Sequence, residues 1–263
     1  MPPPPPPPSA RPGSTVPVGR WVLPPRSEPP AALRLFCLPY AGGGASVFRD
    51  WPKLLPSQIA VYPVQLPGRE AHVREKPFSQ AGPLAQALAE HLQPYLDVPF
   101  ALFGHSMGAV VAFELARQLR RHYRLTPTYL IVAGRRAPQL PNRETPIYQL
   151  PDAAFLEEVQ RRYNAIPDVV RANPELLALF LPGLRGDFTL LDTYACTPEE
   201  PLACPVAALG GEKDPDVTAD DLQAWRTQTS GPFTWNMLPG GHFFVNTARD
   251  QVVRVVTEAL TKQ

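Results

Sequence analysis

The sequence predicts an α/β fold in which a mostly parallel central sheet is flanked by helices. From Ala31 onward, short apolar runs alternate with amphipathic stretches. This alternation is typical of parallel strands that are joined by right-handed helical crossovers. Several of the apolar runs are almost uninterrupted, as expected for strands that helices cover on both faces of the sheet.

The individual elements follow from these patterns. Strands are predicted at Leu33–Leu38, Ile59–Gln65, Pro99–Phe103, Thr128–Ala133, Val206–Leu209 and Phe233–Leu238. Helices are predicted from the spacing of apolar residues at Pro83–Leu96, Met107–Tyr123 and Thr247–Thr261. Thr247 is expected to cap the last of these helices.

One long interval, between Ala133 and Val206, holds no convincing strand. It contains helix-like pieces at Ala153–Tyr163 and Pro174–Leu181, which are separated by prolines. A connection of this length is too long to be a structureless loop in a compact domain. We therefore expect a helical insertion over residues 140–203 that forms a lid. An ordinary pair of helices packed on the sheet is the alternative.

Length and composition exclude several classes of protein. The chain has 263 residues and a formal net charge of +1, so it lacks the basic field of a nucleic-acid-binding protein. Its apolar runs are much shorter than the ~20 residues that a membrane-spanning helix needs. Its three cysteines form no C-x-x-C pair, so neither a disulfide scaffold nor a metal site is predicted. We expect a cytoplasmic protein with no membrane segment.

Proline is unevenly distributed along the chain. Thirteen of the 36 prolines lie in residues 1–30, where large apolar residues are few. Such a segment buries too little surface to offset its ordering entropy. We therefore predict a disordered, proline-rich tail over residues 1–30 and a folded domain over residues 31–263. A ligand for a proline-binding partner is the alternative interpretation of the tail.

The strongest chemical signal is the sequence Gly104-His-Ser-Met-Gly108, which follows an apolar strand and precedes a helix. This G-x-S-x-G pattern in this setting predicts a nucleophile elbow. Glycines are needed on both sides because a side chain there would collide with the backbone as the strand turns into the helix. Ser106 is therefore the predicted nucleophile.

A serine nucleophile needs a base, and the order of residues along the chain restricts the choice. In hydrolases with such an elbow, an acid and then a histidine follow the serine. Only two of the five histidines follow Ser106. His122 ends the helix after the elbow and points away from the turn, which leaves His242 as the predicted base.

The acid that orients His242 should follow the preceding strand, where three carboxylates lie. Asp214 is the predicted acid because a residue a few positions past the strand can turn back toward the histidine. Asp216 is the second candidate, and Glu212 lies in the same loop. The acid would hold the imidazole tautomer and stabilise the imidazolium without itself becoming protonated.

The loop after the first strand, with three consecutive glycines at 42–44, is expected to supply part of an oxyanion hole. The donor there is the amide of Ala41 or Gly42, and the amide of Met107 at the start of the elbow helix is the second donor. A phosphate-binding loop is the competing interpretation. The loop has neither the G-x-G-x-x-G spacing nor a G-K-[ST] end, so that interpretation is disfavoured.

Four segments together resemble the type II thioesterases, the free-standing α/β-hydrolase editing enzymes of polyketide, nonribosomal peptide and fatty acid synthesis. The segments are Leu38-Pro-Tyr-Ala-Gly-Gly-Gly-Ala45, Val64-Gln-Leu-Pro-Gly-Arg-Glu70, Phe103-Gly-His-Ser-Met-Gly-Ala109 and Leu238-Pro-Gly-Gly-His-Phe-Phe244. They occur in the family's order and spacing. The proline-rich tail departs from the family's usual pattern.

The resemblance implies an α/β-hydrolase fold and hydrolysis of acyl groups from the phosphopantetheine arm of a carrier protein that is met in trans. It also implies Ser106, Asp214 and His242 as a catalytic triad, with the amides of Ala41 and Met107 as the oxyanion hole. A mobile lid rich in Leu and Phe would cover the acyl pocket and favour acyl groups of medium length. No cofactor, nucleic acid or membrane partner is expected, and the protein is expected to be a monomer.

Three other functions remain as alternatives. A general carboxylesterase would use the same triad on oxygen esters. An acyl-carrier acyltransferase shares the Gly-His-Ser-x-Gly pattern but lacks a late Gly-Gly-His that follows an acid-bearing loop. A binding module that kept the fold is the third, and the intact set of serine, acid and histidine argues against it.

Overall fold

The computed structural model describes residues 20–25 and 31–261. Within them, six strands form one parallel sheet in the order β2-β1-β3-β4-β5-β6. The strands are β1 (Leu33–Leu38), β2 (Ile59–Pro63), β3 (Phe100–His105), β4 (Tyr129–Ala133), β5 (Val206–Gly211) and β6 (Phe233–Leu238). All six lie within about two residues of the predicted strands, so the predicted α/β class is confirmed.

Helices cover both faces of this sheet. They are α1 (Trp51–Leu54), α2 (Ala81–Leu92), α3 (Met107–Tyr123), α4 (Asp152–Tyr163), α5 (Asp168–Arg171), α6 (Pro174–Thr193), α7 (Ala219–Gln223), α8 (Phe244–Thr247) and α9 (Arg249–Thr261). Short 3-10 turns occur at Ala45–Phe48, Glu70–His72, Gln93–Tyr95 and Ala224–Gln228. None of the helices in the described residues is long and apolar enough to cross a membrane.

The core consists of two layers, one on each side of the sheet. Alternate residues of β1 show this division, because Phe36 and Leu38 pack with α2 and α3 while Leu35 and Cys37 pack with α1 and α9. All four of these side chains are fully buried. Near-continuous apolar strands are therefore explained by burial on both faces.

The last helix begins later than the sequence predicts. Thr247 does not cap it, because a one-turn helix, α8, ends at Thr247 and α9 starts at Arg249. The hydroxyl of Thr247 donates back to the carbonyl of Phe243 at 3.4 Å. The hydroxyl therefore points away from the first amides of α9.

The helices α4, α5 and α6 lie between β4 and β5, and no strand occurs in this stretch of the described chain. The sequence predicts that the third helix ends at Leu181, but α6 continues through Pro182 to Thr193. A proline inside a helix removes one hydrogen bond, here to the carbonyl of Ala178. Ala178 is exposed, so water can bond to this carbonyl and the helix can continue.

Residues 20–25 pack on the folded domain, so the expected tail over residues 1–30 does not hold for this short piece. Trp21 and Val22 are buried, and Val22 forms an antiparallel bridge with Val64 just beyond β2. The indole of Trp21 donates to Glu75 at 3.0 Å and lies 4.1 Å from the ring of His91. The rest of the predicted tail, residues 1–19 and 26–30, lies outside the described residues.

Candidate active site

Ser106 lies at the sharp turn between β3 and α3. Its backbone has φ 54° and ψ −112°, a conformation that is strained for a residue with a side chain. A Cβ atom on Gly104 would lie 2.0 Å from the carbonyl oxygen of Gly108, and one on Gly108 would lie 2.2 Å from the carbonyl oxygen of Leu38. Glycine is therefore required at both positions, as the elbow motif predicts.

The three predicted triad residues form one chain of hydrogen bonds. The Nε2 atom of His242 is 3.0 Å from the Oγ atom of Ser106, and its Nδ1 atom is 2.9 Å from Oδ2 of Asp214. Asp214 follows β5 and His242 follows β6, so the side chains meet at the carboxyl edge of the sheet. With Nδ1–H donated to Asp214, Nε2 is left to accept the hydroxyl proton of Ser106.

Asp216, the second candidate for the acid, occupies a different position. Its backbone N–H donates to Oδ1 of Asp214 at 3.0 Å, which fixes the carboxylate that contacts His242. Its own side chain is half-buried and lines the pocket beside the triad. Burial, together with the nearby carboxylates of Glu144 and Asp214, raises the pKa of Asp216.

His105, the residue before the nucleophile, is fully buried behind the elbow. Its Nε2–H donates to the backbone carbonyl of His242 at 2.8 Å. Burial, with a smaller contribution from the nearby His242, holds the pKa of His105 well below its usual value. The neutral ring therefore supports the backbone of the proposed base, a contact that no local pattern in the sequence predicts.

One of the two candidate oxyanion donors in the loop after β1 is already bonded to a side chain. The N–H of Gly42 donates to Oδ2 of Asp187 at 2.8 Å, which removes Gly42 from the two candidates that the sequence left open. Ala41 lines the same pocket as Ser106. Met107 is the first residue of α3, so its N–H has no carbonyl partner within the helix.

A pocket of about 790 Å³, including its open mouth, extends from Ser106 under the helical insertion. Phe188 and Leu191 of α6 form part of its wall, as expected from the apolar composition of that helix. Charged side chains form much of the remainder: Asp216, which the sequence offered as a second candidate for the acid, and four that sequence reasoning did not identify, Arg135, Arg136, Arg143 and Glu144. The pocket is therefore more polar than the predicted acyl pocket.

Most of these pocket charges have protein partners. Glu144 accepts from the Tyr163 hydroxyl at 2.6 Å and pairs with Arg162 at 3.0 Å. Arg136 and Arg143 both pair with Asp221 at 3.0 Å. Burial lowers the pKa of Arg135, the residue that follows Gly134 at the end of β4.

The same site contains one group of potential metal ligands, Asp214, Asp216 and His242, whose ligand atoms lie within 4.8 Å of one another. Both ring nitrogens of His242 are already bonded, one to Asp214 and one to Ser106. A metal ion would have to break the hydrogen-bonded chain. The donor set therefore fits a triad better than a metal centre.

A parallel sheet with a serine elbow after its third strand, an acid after the fifth and a histidine after the sixth defines the α/β-hydrolase class of enzymes. Within this class the chain belongs to the thioesterase family, since the family described as "Thioesterase domain" matches residues 33–260. The enzyme is a thioester hydrolase. The resemblance to type II thioesterases that the four sequence motifs indicate is confirmed.

Three similar proteins show the extent of the relationship. The chain is 44% identical to "Linear gramicidin dehydrogenase LgrE" of Brevibacillus parabrevis over 92% of each chain. It is 40% identical to "Gramicidin S biosynthesis protein GrsT" of Aneurinibacillus migulanus, covering 92% of this chain and 94% of that one. The solved type II thioesterase BorB from the borrelidin biosynthetic cluster superposes with a TM-score of 0.81 at 35% identity, over 91% of this chain and 96% of that one.

Proposed function

We propose that this protein removes acyl groups from the phosphopantetheine arm of carrier proteins and acts in trans as an editing enzyme of a polyketide or nonribosomal peptide synthase. The observation that carries the proposal is the continuous chain from Ser106 through His242 to Asp214. Its occurrence in a chain that is similar to type II thioesterases over nearly their whole length supports the substrate class.

The geometry supports a two-step mechanism. Nε2 of His242 takes the hydroxyl proton of Ser106 as Oγ attacks the thioester carbonyl, and the imidazolium is stabilised by the carboxylate of Asp214. The C–S bond then breaks, and the leaving thiolate takes the proton from His242. In the second step the same nitrogen removes a proton from water, whose oxygen attacks the acyl-serine carbonyl. The bond between the acyl carbon and Oγ then breaks, Oγ of Ser106 takes the proton back from His242, and the acid is released.

The negative charge that develops on the carbonyl oxygen in both steps requires donors that are already in place. We assign this role to the backbone amides of Ala41 and Met107. Support comes from the position of Ala41 in the loop after β1 and of Met107 at the start of α3 directly after Ser106, and from the bond of the neighbouring Gly42 amide to Asp187.

We assign the helical insertion, residues 140–203, to a lid over the acyl pocket, because side chains of α6 form part of the pocket wall. The protein would act as a monomer, and the carrier protein would dock at the open mouth of the pocket. The polar groups along the wall favour short acyl chains that carry oxygen or nitrogen over plain alkyl chains of medium length.

Two substrates with the same acyl group test the proposal. We expect faster acid release from the carrier-bound thioester than from the p-nitrophenyl ester, and loss of both activities in Ser106→Ala by about four orders of magnitude. Ester hydrolysis with no turnover of the carrier-bound substrate would favour a general carboxylesterase. Activity of Ser106→Ala within tenfold of the wild type would contradict the assignment of the nucleophile.

The name of the Brevibacillus relative assigns a dehydrogenase activity to that protein. In this chain the glycine loop after β1 lacks the G-x-G-x-x-G spacing that seats the pyrophosphate of a dinucleotide. Absorbance of NADPH can be followed beside acid release in the same assay. Oxidation of NADPH that depends on the acyl substrate, without acid release, would contradict the hydrolase mechanism.

A further inference from the structure

We propose that Asp187, in the helical insertion, is a positioning residue that together with Arg69 holds the oxyanion-hole turn in its active conformation. The inference rests on the proposed function, because it assigns a role relative to the Ala41 amide. It also assigns a role to Arg69. This residue belongs to the motif at residues 64–70 but does not line the pocket with Ser106.

The turn itself consists of residues 40–43. The N–H of Gly43 donates to the carbonyl of Tyr40 at 2.9 Å, and Gly42 has φ +75°. A positive φ at the third residue is the mark of a type II turn. In a trans peptide the C=O and N–H point in opposite directions. Because the Tyr40 carbonyl points into the turn, the N–H of Ala41 points out of it.

Asp187 and Arg69 hold this turn from behind. Oδ2 of Asp187 accepts the N–H of Gly42 at 2.8 Å. The guanidinium of Arg69 forms a two-pronged pair with the same carboxylate, at 2.6 and 2.9 Å, and donates to the carbonyl of Gly43 at 3.1 Å. Both side chains are almost fully buried. One buried ion pair therefore binds the central peptide of the turn, through the N–H of Gly42, and the peptide that leaves the turn, through the carbonyl of Gly43.

The part of α6 that carries Asp187 is firmly docked. A Cβ atom on Gly183 would lie 2.3 Å from the carbonyl oxygen of Gly68, so the helix backbone approaches the loop after β2 closely. A Cβ atom on Gly42 would lie 3.0 Å from both Leu184 and Phe180. Residues 174–182, by contrast, are exposed or half-buried. The insertion thus has a buried, anchored half from Gly183 onward and a more exposed outer half before it.

The chemistry of the pair separates this role from simple stabilisation. Removing one partner of a buried ion pair leaves an uncompensated charge and destabilises the fold, whereas replacing both by apolar residues is often neutral. Replacing both in this protein also removes the acceptor of the Gly42 N–H. The double variant Arg69→Met with Asp187→Leu therefore tests the role of the pair in holding the turn, because we expect this variant to keep the fold.

The experiment compares Asp187→Asn and this double variant with the wild type, at a temperature where all are folded by circular dichroism. In the double variant we expect kcat to fall by about 10- to 100-fold with KM changed less than threefold, since loss of a whole oxyanion donor costs about 10²–10³. The Ki of a trifluoromethyl ketone, which binds as a tetrahedral adduct, should rise by the same factor as kcat/KM falls. Asp187→Asn keeps an acceptor for the N–H of Gly42, so its decrease in kcat should be smaller than that of the double variant.

Glu114→Gln is the matched control, because Glu114 and Arg117 form an equally buried pair at 2.7 Å on α3, away from the pocket. It should lower the unfolding midpoint and leave the Ki unchanged. An unchanged Ki in a folded double variant would overturn the inference. If the double variant does not fold, Asp187→Ala combined with Arg69→Gln also removes the acceptor of the Gly42 N–H, and an unchanged Ki in that folded variant overturns the inference. Failure of Ser106→Ala to abolish turnover would instead remove the proposed function.

Discussion

The ring of His105 donates a hydrogen bond to the backbone carbonyl of His242, at 2.8 Å across the elbow. The residue before the proposed nucleophile thus holds the main chain of the proposed base. The ring is fully buried, packs against Gly134 and stays neutral because burial depresses its pKa. This contact joins two segments of the site independently of the triad itself.

His105 makes the stability of the protein sensitive to acid. Its pKa is lower in the folded chain than the 6.5 of a free histidine, so below about pH 6.5 the unfolded chain binds more protons and the free energy of unfolding decreases. Replacing His105 by Gln removes this contribution. As the pH falls from 7.5 to 5, we expect the free energy of unfolding to decrease more in the wild type than in His105→Gln. Urea unfolding at several pH values measures it, and parallel curves for the two proteins would contradict the prediction.

Asp214 and Asp216 differ in what they contact, so their amide variants should differ in rate. Asp214→Asn can no longer hold Nδ1–H of His242 in the required tautomer, and we expect kcat to fall by about 10³–10⁴. Asp216→Asn keeps the backbone bond to Asp214, and we expect a fall of less than about tenfold. Steady-state kinetics on one acyl substrate compares them. A reversed order would transfer the role of the acid to Asp216.

Trp21 is expected to contribute strongly to stability although it lies in a proline-rich segment. Its indole is buried, bonds to Glu75 and stacks on His91, so Trp21→Ala should lower the free energy of unfolding by about 3 kcal/mol. Leu23→Ala is the control, because Leu23 is 43% exposed and its loss should cost less than about 0.5 kcal/mol. Equal effects in chemical denaturation would mean that the segment does not pack in solution.

The elbow should tolerate no side chain at Gly108. The Cβ atom of Gly108→Ala would lie 2.2 Å from a backbone oxygen of β1, which cannot yield without moving the sheet. We expect an insoluble or inactive protein. Gly82→Ala, in α2, meets no atom within 4 Å and should be neutral or stabilising by up to ~1 kcal/mol. Full activity and an unchanged unfolding midpoint in Gly108→Ala would contradict the geometry of the turn.

The sequence predicted the parts of the site that depend on local patterns. A strand, a glycine, Ser106 and a helix form within ten residues, and the order of the histidines selects His242. The position a few residues past a strand favoured Asp214 and kept Asp216 as the second candidate. The same local reasoning explains the agreement at α3 and β6, whose predicted ends are confirmed at both termini.

The parts that the sequence did not predict depend on contacts between distant residues. Arg69 and Asp187 are 118 residues apart and carry no shared pattern, so nothing local marks them as a pair. The packing of Trp21 was not predicted because the surrounding segment is rich in proline. Composition describes the average of a segment, and a single buried indole does not change that average. Pro182 was interpreted as the end of a helix because proline usually interrupts one. Whether a helix tolerates a proline depends on the exposure of the carbonyl that the proline leaves unpaired, and the local sequence does not show this exposure.

The insertion has a small hydrophobic core of its own, formed by Ile147, Phe155, Val159, Ile166, Leu184 and Phe188 and separate from both layers of the sheet. Regions with few buried contacts open at a lower free energy than the whole domain. We therefore expect amide hydrogens in α4 and α5 to exchange with solvent through a local opening, and those of the fully buried strand β3 to exchange only when the whole domain unfolds. We expect this local opening, rather than global unfolding, to limit the entry of an acyl chain to Ser106. A conventional melting curve does not report such an opening.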